Sequence, residues 1–465
     1  MRLLIKIFAP ISLLISLLLF VYTFYVSEIL WVGDKRDYYL VYYIVSLILI
    51  ICSILFFFIS EKIKEYLIIS LASIVLSLYI FESYVIFKKQ FTKEKFSELE
   101  LKRHIYAKKN ELEFDTRSKL EVYNDLKKTE NNIAVRMPSS SHIKSNNNIF
   151  ALSGISNSKI INCNENGYYS NYESDRYGFN NPDSEHDQNT IEYLIVGDSF
   201  VHGDCVNRPN DIASILRALS GKPVLNLGQP GNGPLIEYAA LREYLIPNVK
   251  KVLWVFYQND LENLDSELKN KILIKYLNDL TFTQNLKLKQ NEIDKMLKRM
   301  MYVEENYFFK FLKLSQVRQA IYRYFSNKSE QDVQIKKLKK KKNNQVQDLQ
   351  QDQDLLYDQE LLEDQDLLQK MKIVLELVKD LTTENNSELY FVILPDYSRY
   401  IHNMKVNNKG LKKIVSNLDI PFIDIHKEVF EKEENPINLF PLRLFGHYNK
   451  EGYKKVSEAI FNFTK

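Results

Sequence analysis

Three apolar stretches near the N-terminus constrain this chain more than anything that follows. They are Ile7–Val26, Tyr38–Ile59 and Tyr66–Phe87, the last interrupted only by Glu82 near its end. Each is long enough for a helix across a hydrocarbon core, which takes roughly 20 residues. Arg2 and Lys6 precede the first run, as in a signal peptide, but no small-residue cleavage pattern follows and two more runs do. The pattern predicts three transmembrane helices within residues 1–90, with the lipid bilayer as a partner. An odd number of spans puts the N-terminus and the long C-terminal portion on opposite sides. Arg2, Lys6, Lys62 and Lys64 favour an inside N-terminus, whereas Lys35, Arg36 and the cluster Lys88, Lys89, Lys93 and Lys95 favour the reverse. Counted close to the spans, the positive residues make the C-terminal portion cytoplasmic.

The 465 residues leave room for about two or three domains. With 62 basic against 59 acidic side chains, no global field argues for nucleic acid. Residues 91–190 read as a linker and ribbon: a charged helical stretch Phe91–Lys109, a short helix Leu120–Lys127, and a Ser/Asn-rich loop Ser139–Asn148. Then Asn162–Pro182 mixes aromatic residues with turn formers, as a short hairpin or irregular ribbon does.

From Tyr193 strands and helices alternate. Strands are expected at Tyr193–Val196, Val224–Leu227, Val252–Phe256, Leu389–Leu394 and Phe422–Ile425. Helices are expected at Asp211–Leu219, Leu235–Leu245, Met371–Leu381, Lys409–Asn417 and Gly452–Phe463. Short apolar strands separated by amphipathic helices make a parallel sheet covered on both faces. The expected fold class is therefore α/β, a three-layer flavodoxin-like domain over residues 191–465.

An insertion at about 261–369 interrupts it. Leu261–Phe325 reads as helices forming a lid or side wall, followed by the lysine run Lys336–Lys342 and a hexad repeated three times over Asp352–Gln369. Six residues advance about 600° around a helix, so the Leu pairs circle it instead of forming one stripe. That favours a solvated, partly helical or disordered insert over a coiled-coil partner site. The cysteines, Cys52, Cys163 and Cys205, make no disulfide framework. Cys52 lies in an apolar run, so only Cys163 and Cys205 could pair, and nothing in the sequence forces it.

The chemistry gathers in four places. Gly197-Asp-Ser-Phe200 follows the first strand directly, and a serine on a sharp turn at a strand's carboxyl end is where an α/β sheet places a nucleophile. A nucleophilic Ser199 needs a base and an oxyanion hole. Leu225-Asn-Leu-Gly-Gln-Pro-Gly-Asn-Gly-Pro234 supplies a glycine-rich turn whose N–H groups can face an oxyanion. Tyr257-Gln-Asn-Asp260 supplies an amide donor, and Phe445-Gly-His-Tyr448 puts His447 in a loop before the last helix. His202 is expected to line the pocket or face solvent, Asp198 to brace the turn through backbone bonds, and Cys205 to be a small buried residue. No Cys/His cluster has zinc spacing and no phosphate loop occurs, so neither metal nor nucleotide cofactor is expected.

Taken in this order, the motifs over Glu192–Lys465 resemble the SGNH (GDSL-like) hydrolase superfamily, and Tyr172–Asn180 looks like a segment of its envelope-associated members. The resemblance implies Ser199 as nucleophile, His447 as base, and an oxyanion hole of the Ser199 N–H, Gly231 and Asn259. It implies ester substrates, and for membrane-tethered members O-acyl groups of envelope polysaccharide, by hydrolysis or transfer, with possible assembly partners met through the insertion. It also puts the domain outside the cytoplasmic membrane, against the lysine count, since long domains translocate largely regardless of charge.

The family usually has Asp three residues before the His, where this chain has Leu444. A backbone carbonyl could orient His447, Asp424 or Asp396 could substitute, or turnover could be lost. A non-catalytic carbohydrate-binding or scaffold protein is the alternative expectation.

Overall fold

A computed structural model describes residues 2–30, 33, 36–91, 98–143, 148–301, 311–318, 320, 365–401 and 408–465. The chain divides into two compact units. The first comprises Met1–Lys95, Ser145–Asn148 and Glu304–Gln350, and the second comprises Phe96–Lys144, Ile149–Val303 and Gln351–Lys465.

The first unit is built on α1 (Arg2–Phe24), α2 (Arg36–Leu55) and α3 (Glu61–Phe91). All three are long and apolar enough to cross a membrane, with mean hydropathy of 2.5, 2.3 and 1.8 over their most apolar windows. Their large side chains face outward, Leu14, Ile48 and Leu76 among them. In water that surface would be costly; in lipid it is the expected one. The helices meet through small contacts, such as Ser16 Oγ to Ser53 Oγ at 3.0 Å and Phe8 stacked on Phe56. Glu82 is fully buried and accepts the N–H groups of Gln316 and Val317 at 3.0 and 2.9 Å. That arrangement satisfies a carboxylate in an otherwise apolar helix.

The second unit begins with α4 (Glu98–Lys109) and α5 (Lys119–Leu126). A small three-stranded sheet follows, of β1 (Ile133–Val135), β2 (Lys159–Ile161) and β3 (Asn171–Glu173). Strands β2 and β3 are antiparallel, so residues 162–170 form their hairpin loop.

The main sheet is formed by β4 (Ile191–Val196), β5 (Val224–Asn226), β6 (Val249–Phe256), β7 (Glu388–Ile393) and β8 (Phe422–Asp424). All pairs are parallel, in the order β5-β4-β6-β7-β8. The near-continuous apolar run Ile191–Val196 suits a strand buried on both faces. Leu194 and Val196 join Trp254 and Phe391 in one core, and Tyr193 and Ile195 join Leu253 and Val392 in the other.

The first core is covered by α8 (Pro234–Tyr244), α12 (Gln365–Glu384) and α13 (Lys409–Asn417). The second is covered by α7 (Ile212–Ser220) and α14 (Lys450–Thr464). The early part of the insertion folds as α9 (Asp260–Glu267), α10 (Leu273–Asn278) and α11 (Gln290–Met301), whose Leu264, Tyr276 and Ile293 extend the first core. The lysine run and the hexads lie outside the described residues, except for 365–369, which open α12.

The chain leaves β4 for β5 on one side and then crosses to β6 on the other. The carboxyl end of β4 is therefore the point where strand order reverses, and ligands in open α/β sheets collect at such points.

Candidate active site

Ser199 opens α6 (Ser199–His202), directly after β4. Gly197 lets this turn approach the sheet, because a Cβ there would run into the Val201 side chain and lie 2.8 Å from the Val255 carbonyl oxygen. Asp198, fully buried, accepts the Phe200 N–H at 2.9 Å, as expected for a turn brace. Its other oxygen lies 3.3 Å from Ser199 Oγ. Burial pushes this carboxyl up to about 6.

His447 comes from the loop before α14, and its Nε2 lies 2.8 Å from Ser199 Oγ. The other ring nitrogen, Nδ1, lies 3.1 Å from Glu165 Oε2, which also accepts the His447 backbone N–H at 2.8 Å. Glu165 Oε1 pairs with Arg103 of α4 at 3.0 Å, and Arg103 in turn donates to the Phe445 carbonyl at 2.7 Å. The acid on the imidazole is thus Glu165, in the β2–β3 hairpin loop. It is neither Asp424, which pairs with Lys412 at 2.8 Å, nor Asp396, which accepts from Tyr257 and the Ser398 N–H. No backbone carbonyl is needed in that role. Gly446 makes room for this acid, since a Cβ there would stand 2.6 Å from Glu165 Oε2 and 2.9 Å from Arg103.

The charges around His447 favour its protonated form. Burial disfavours the imidazolium, but the charge and hydrogen bond of Glu165, followed by Asp204 and Asp198, outweigh it and raise His447 to about 8. For Glu165, burial works upward, but the His447 charge and hydrogen bond, with Arg103, hold the carboxyl below its ordinary value. Asp204 lies 3.8 Å from His447 Nε2. Burial opposes its charge, yet Arg136 and His202 hold it well below the usual carboxylate range. His202 neither faces solvent nor lines an opening. It is fully buried, with Nδ1 2.9 Å from Asp204 and its ring edge-on to Tyr172.

Cys205 forms a disulfide with Cys163, the pairing that the sequence permitted without requiring. Glu165, Cys205 and His447 bring possible ligand atoms within 4.8 Å of one another. This trio does not suit a metal: the sulfur is spent in a disulfide instead of being a thiolate, and Nδ1 already serves Glu165.

Strands β5 and β6 flank β4, so the turns after them border the serine turn. The Gln229 N–H and the Asn232 amide both donate to the Gly197 carbonyl, at 3.3 and 3.4 Å, tying the glycine turn to the serine turn. Gly231 has φ +74°, and a side chain there would collide with Ser140. Asn259 ends the β6 turn just ahead of α9, and its buried Oδ1 has no hydrogen-bond partner among the described residues. Helix α9 holds both turns together. Asn263 donates to the Asn232 carbonyl at 3.1 Å, and Glu267 accepts the N–H groups of Gly233 and Leu235 at 2.6 and 2.8 Å.

The arrangement joins a hydroxyl to an imidazole and a carboxylate through two hydrogen bonds, beside a glycine turn and an asparagine. It can deprotonate Ser199 as it attacks an electrophilic carbon, provided His447 begins neutral. Sequence reasoning missed Glu165, Arg103 and Asp204. The one available signal was Cys163, two residues before Glu165, with its sole plausible partner in the loop after Ser199. No family model matches the chain, and no characterised protein matches it significantly.

Proposed function

We propose that the chain is a membrane-anchored serine esterase or acyltransferase of the SGNH (GDSL-like) kind, on a flavodoxin-like sheet. The hydrogen-bonded series Ser199–His447–Glu165 carries this reading. Ser199 Oγ attacks an ester carbonyl as its proton passes to His447 Nε2. Glu165 holds Nδ1–H and stabilises the imidazolium, as a carboxylate does in triads on unrelated folds. The Ser199 N–H, the Gly231 N–H and the Asn259 amide receive the oxyanion. The imidazolium then protonates the leaving alcohol, and water or a sugar hydroxyl accepts the acyl group from Ser199. O-acylated carbohydrate of a cell envelope is the proposed substrate class, on the strength of the motif resemblance.

The domain is proposed to lie outside the cytoplasmic membrane. The Cys163–Cys205 bond supports this, because such bonds persist in oxidising compartments. The alternative of a non-catalytic scaffold rested on the leucine at position 444, and Glu165 removes its main support.

The test is labelling of the full chain with a fluorophosphonate, together with turnover of an aryl acetate. Native protein should label and turn over, and Ser199→Ala should do neither. Equal rates in the two would sink the enzyme reading.

A further inference from the structure

Glu165 stands on neither a helix nor a strand of the main sheet, and what holds it there determines when the site works. The β2–β3 hairpin closes through Asn162 N–H to Ser170 O at 2.8 Å and Ser170 N–H to Cys163 O at 2.9 Å. Its tip is tied outward, with the Asn164 amide on the Asp115 carbonyl at 2.9 Å and the Asp115 N–H on Gly167 O at 2.7 Å. Among the described residues, three ties run from the loop to residues 204 and 205, close behind Ser199. They are the Asn162 amide to Asp204 at 3.2 Å, the Asn166 amide to the Cys205 carbonyl at 3.0 Å, and the covalent Cys163–Cys205 bond. The two amide bonds can be exchanged for water. The disulfide cannot.

Its other end is rigidly placed. Cys205 is fully buried and follows the α6 cap, where the Asp204 N–H donates to Ser199 O at 3.0 Å. The shortest covalent path from the nucleophile to the acid therefore runs through this bond and not along the chain.

We propose that the Cys163–Cys205 disulfide is the element that presents Glu165 to His447, so that the site is competent only while the bond is closed. The catalytic arm of this inference rests on the esterase reading; the geometric arm does not. Opening needs a thiol reductant, here a dithiol. Its thiolate attacks the sulfur of Cys163, the partly exposed partner, the S–S bond breaks, and the Cys205 sulfur leaves as thiolate. The dithiol's second thiol resolves the mixed disulfide. Two electrons and two protons enter the protein, and the reagent leaves as its own disulfide. Glu165 is then free to leave Nδ1 and Arg103, which keeps the Phe445 carbonyl. His447 still faces Asp204, which is paired with Arg136 and His202, and Asp198 beside Ser199.

The experiment uses the full chain in detergent, with a chelator present so that a freed Cys205 thiolate cannot gather a metal with Glu165 and His447. The His447 imidazole is titrated by NMR on histidine-labelled protein, and fluorophosphonate labelling of Ser199 is followed against pH. Both are done before and after dithiothreitol, with free thiols counted, and in the Cys163→Ser/Cys205→Ser variant. With the bond closed, the His447 midpoint should lie near about 8. With it open, the midpoint should fall toward the ordinary histidine range, and labelling at neutral pH should slow by roughly tenfold or more.

Glu165→Gln should reproduce the slower labelling with the bond intact, and reduction should add nothing to it. A midpoint that stays near about 8 with both thiols counted as free overturns the proposal. So does a reduction penalty that persists in full in Glu165→Gln, which would mark general loosening. Native protein that never labels, while its midpoint still moves on reduction, defeats the esterase reading and leaves the positioning role standing.

Discussion

The serine side and the acid side of this site are built by different means. Ser199 sits on a turn that the central strand dictates: Gly197 presses against the Val255 carbonyl, Asp198 accepts the Phe200 N–H of α6, and the neighbouring turn donates twice to the Gly197 carbonyl. Each contact is to backbone of the sheet or of the turn that leaves it. Glu165 is held by a hairpin loop, a disulfide, an arginine and the histidine it serves. Its contacts are mostly to side-chain ends, which can move. A serine set by the sheet and a carboxylate delivered from outside it should fail differently when disturbed.

The largest expected effect is on the serine itself. Ser199→Ala should lower ester turnover by roughly a thousandfold or more, with folding unchanged, since triad members act as a unit. A residual rate near native in a steady-state assay would remove the sheet side from the chemistry. Glu165→Gln should come next, at roughly a hundredfold or more, because an amide cannot stabilise the imidazolium. It carries a second signature. A base must be neutral, so native activity should rise with pH through about 8, and in Glu165→Gln that rise should begin at lower pH. The sign for stability is opposite. The raised His447 contributes stability that is fully present below the ordinary histidine value near about 6.5 and is lost as pH rises through about 8. Thermal melts against pH should show that loss in native protein and much less of it in the variant.

Two glycines sharpen the contrast. Gly197→Ala drives a Cβ against the Val255 carbonyl oxygen, 2.8 Å away, on a central strand that cannot yield. Overpacking of that kind costs about 1–3 kcal/mol, so the variant should melt earlier and lose activity with it. Gly446→Ala meets only the tips of Glu165 and Arg103. Those can swing aside, so the variant should lose less stability than Gly197→Ala, no more than Glu165→Gln does, and behave kinetically like a mild Glu165→Gln. If both lost stability equally, the distinction between the two sides would fail.

The same distinction governs what was legible in the sequence. The strand-then-turn logic around Gly197-Asp-Ser-Phe200 is local, and apolar runs alternating with amphipathic spacing placed all five strands and most covering helices within a few residues, α12 starting at Gln365 instead of Met371. Three transmembrane-length helices were equally local, since length and hydropathy suffice. His447 was found because it precedes a well-marked helix. Glu165 was not, because its relation to His447 exists only after a hairpin has folded back across the sheet. No periodicity records a contact between residues 165 and 447. Asp198's brace of the turn was local and legible, whereas the partners of Asp204, Arg136 and Asn162, depended on the same long-range packing.

The smallest expected effect tests the acid assignment from the other direction. Asp424 and Asp396 stand at the ends of β8 and β7, where a strand-end acid would be sought, yet both are committed elsewhere. Asp424 is bound to a Lys412 that is about two-fifths exposed, with a side-chain relative exposure of 40%. Such a pair is worth at most about 1 kcal/mol, since solvent screens it and both side chains lose freedom in forming it. Asp424→Asn should therefore shift the melting temperature by a few degrees at most and leave ester turnover and its pH midpoint unchanged. A tenfold fall in rate, with the midpoint moving down, would return the histidine's partner to the sheet and leave the hairpin a structural accessory.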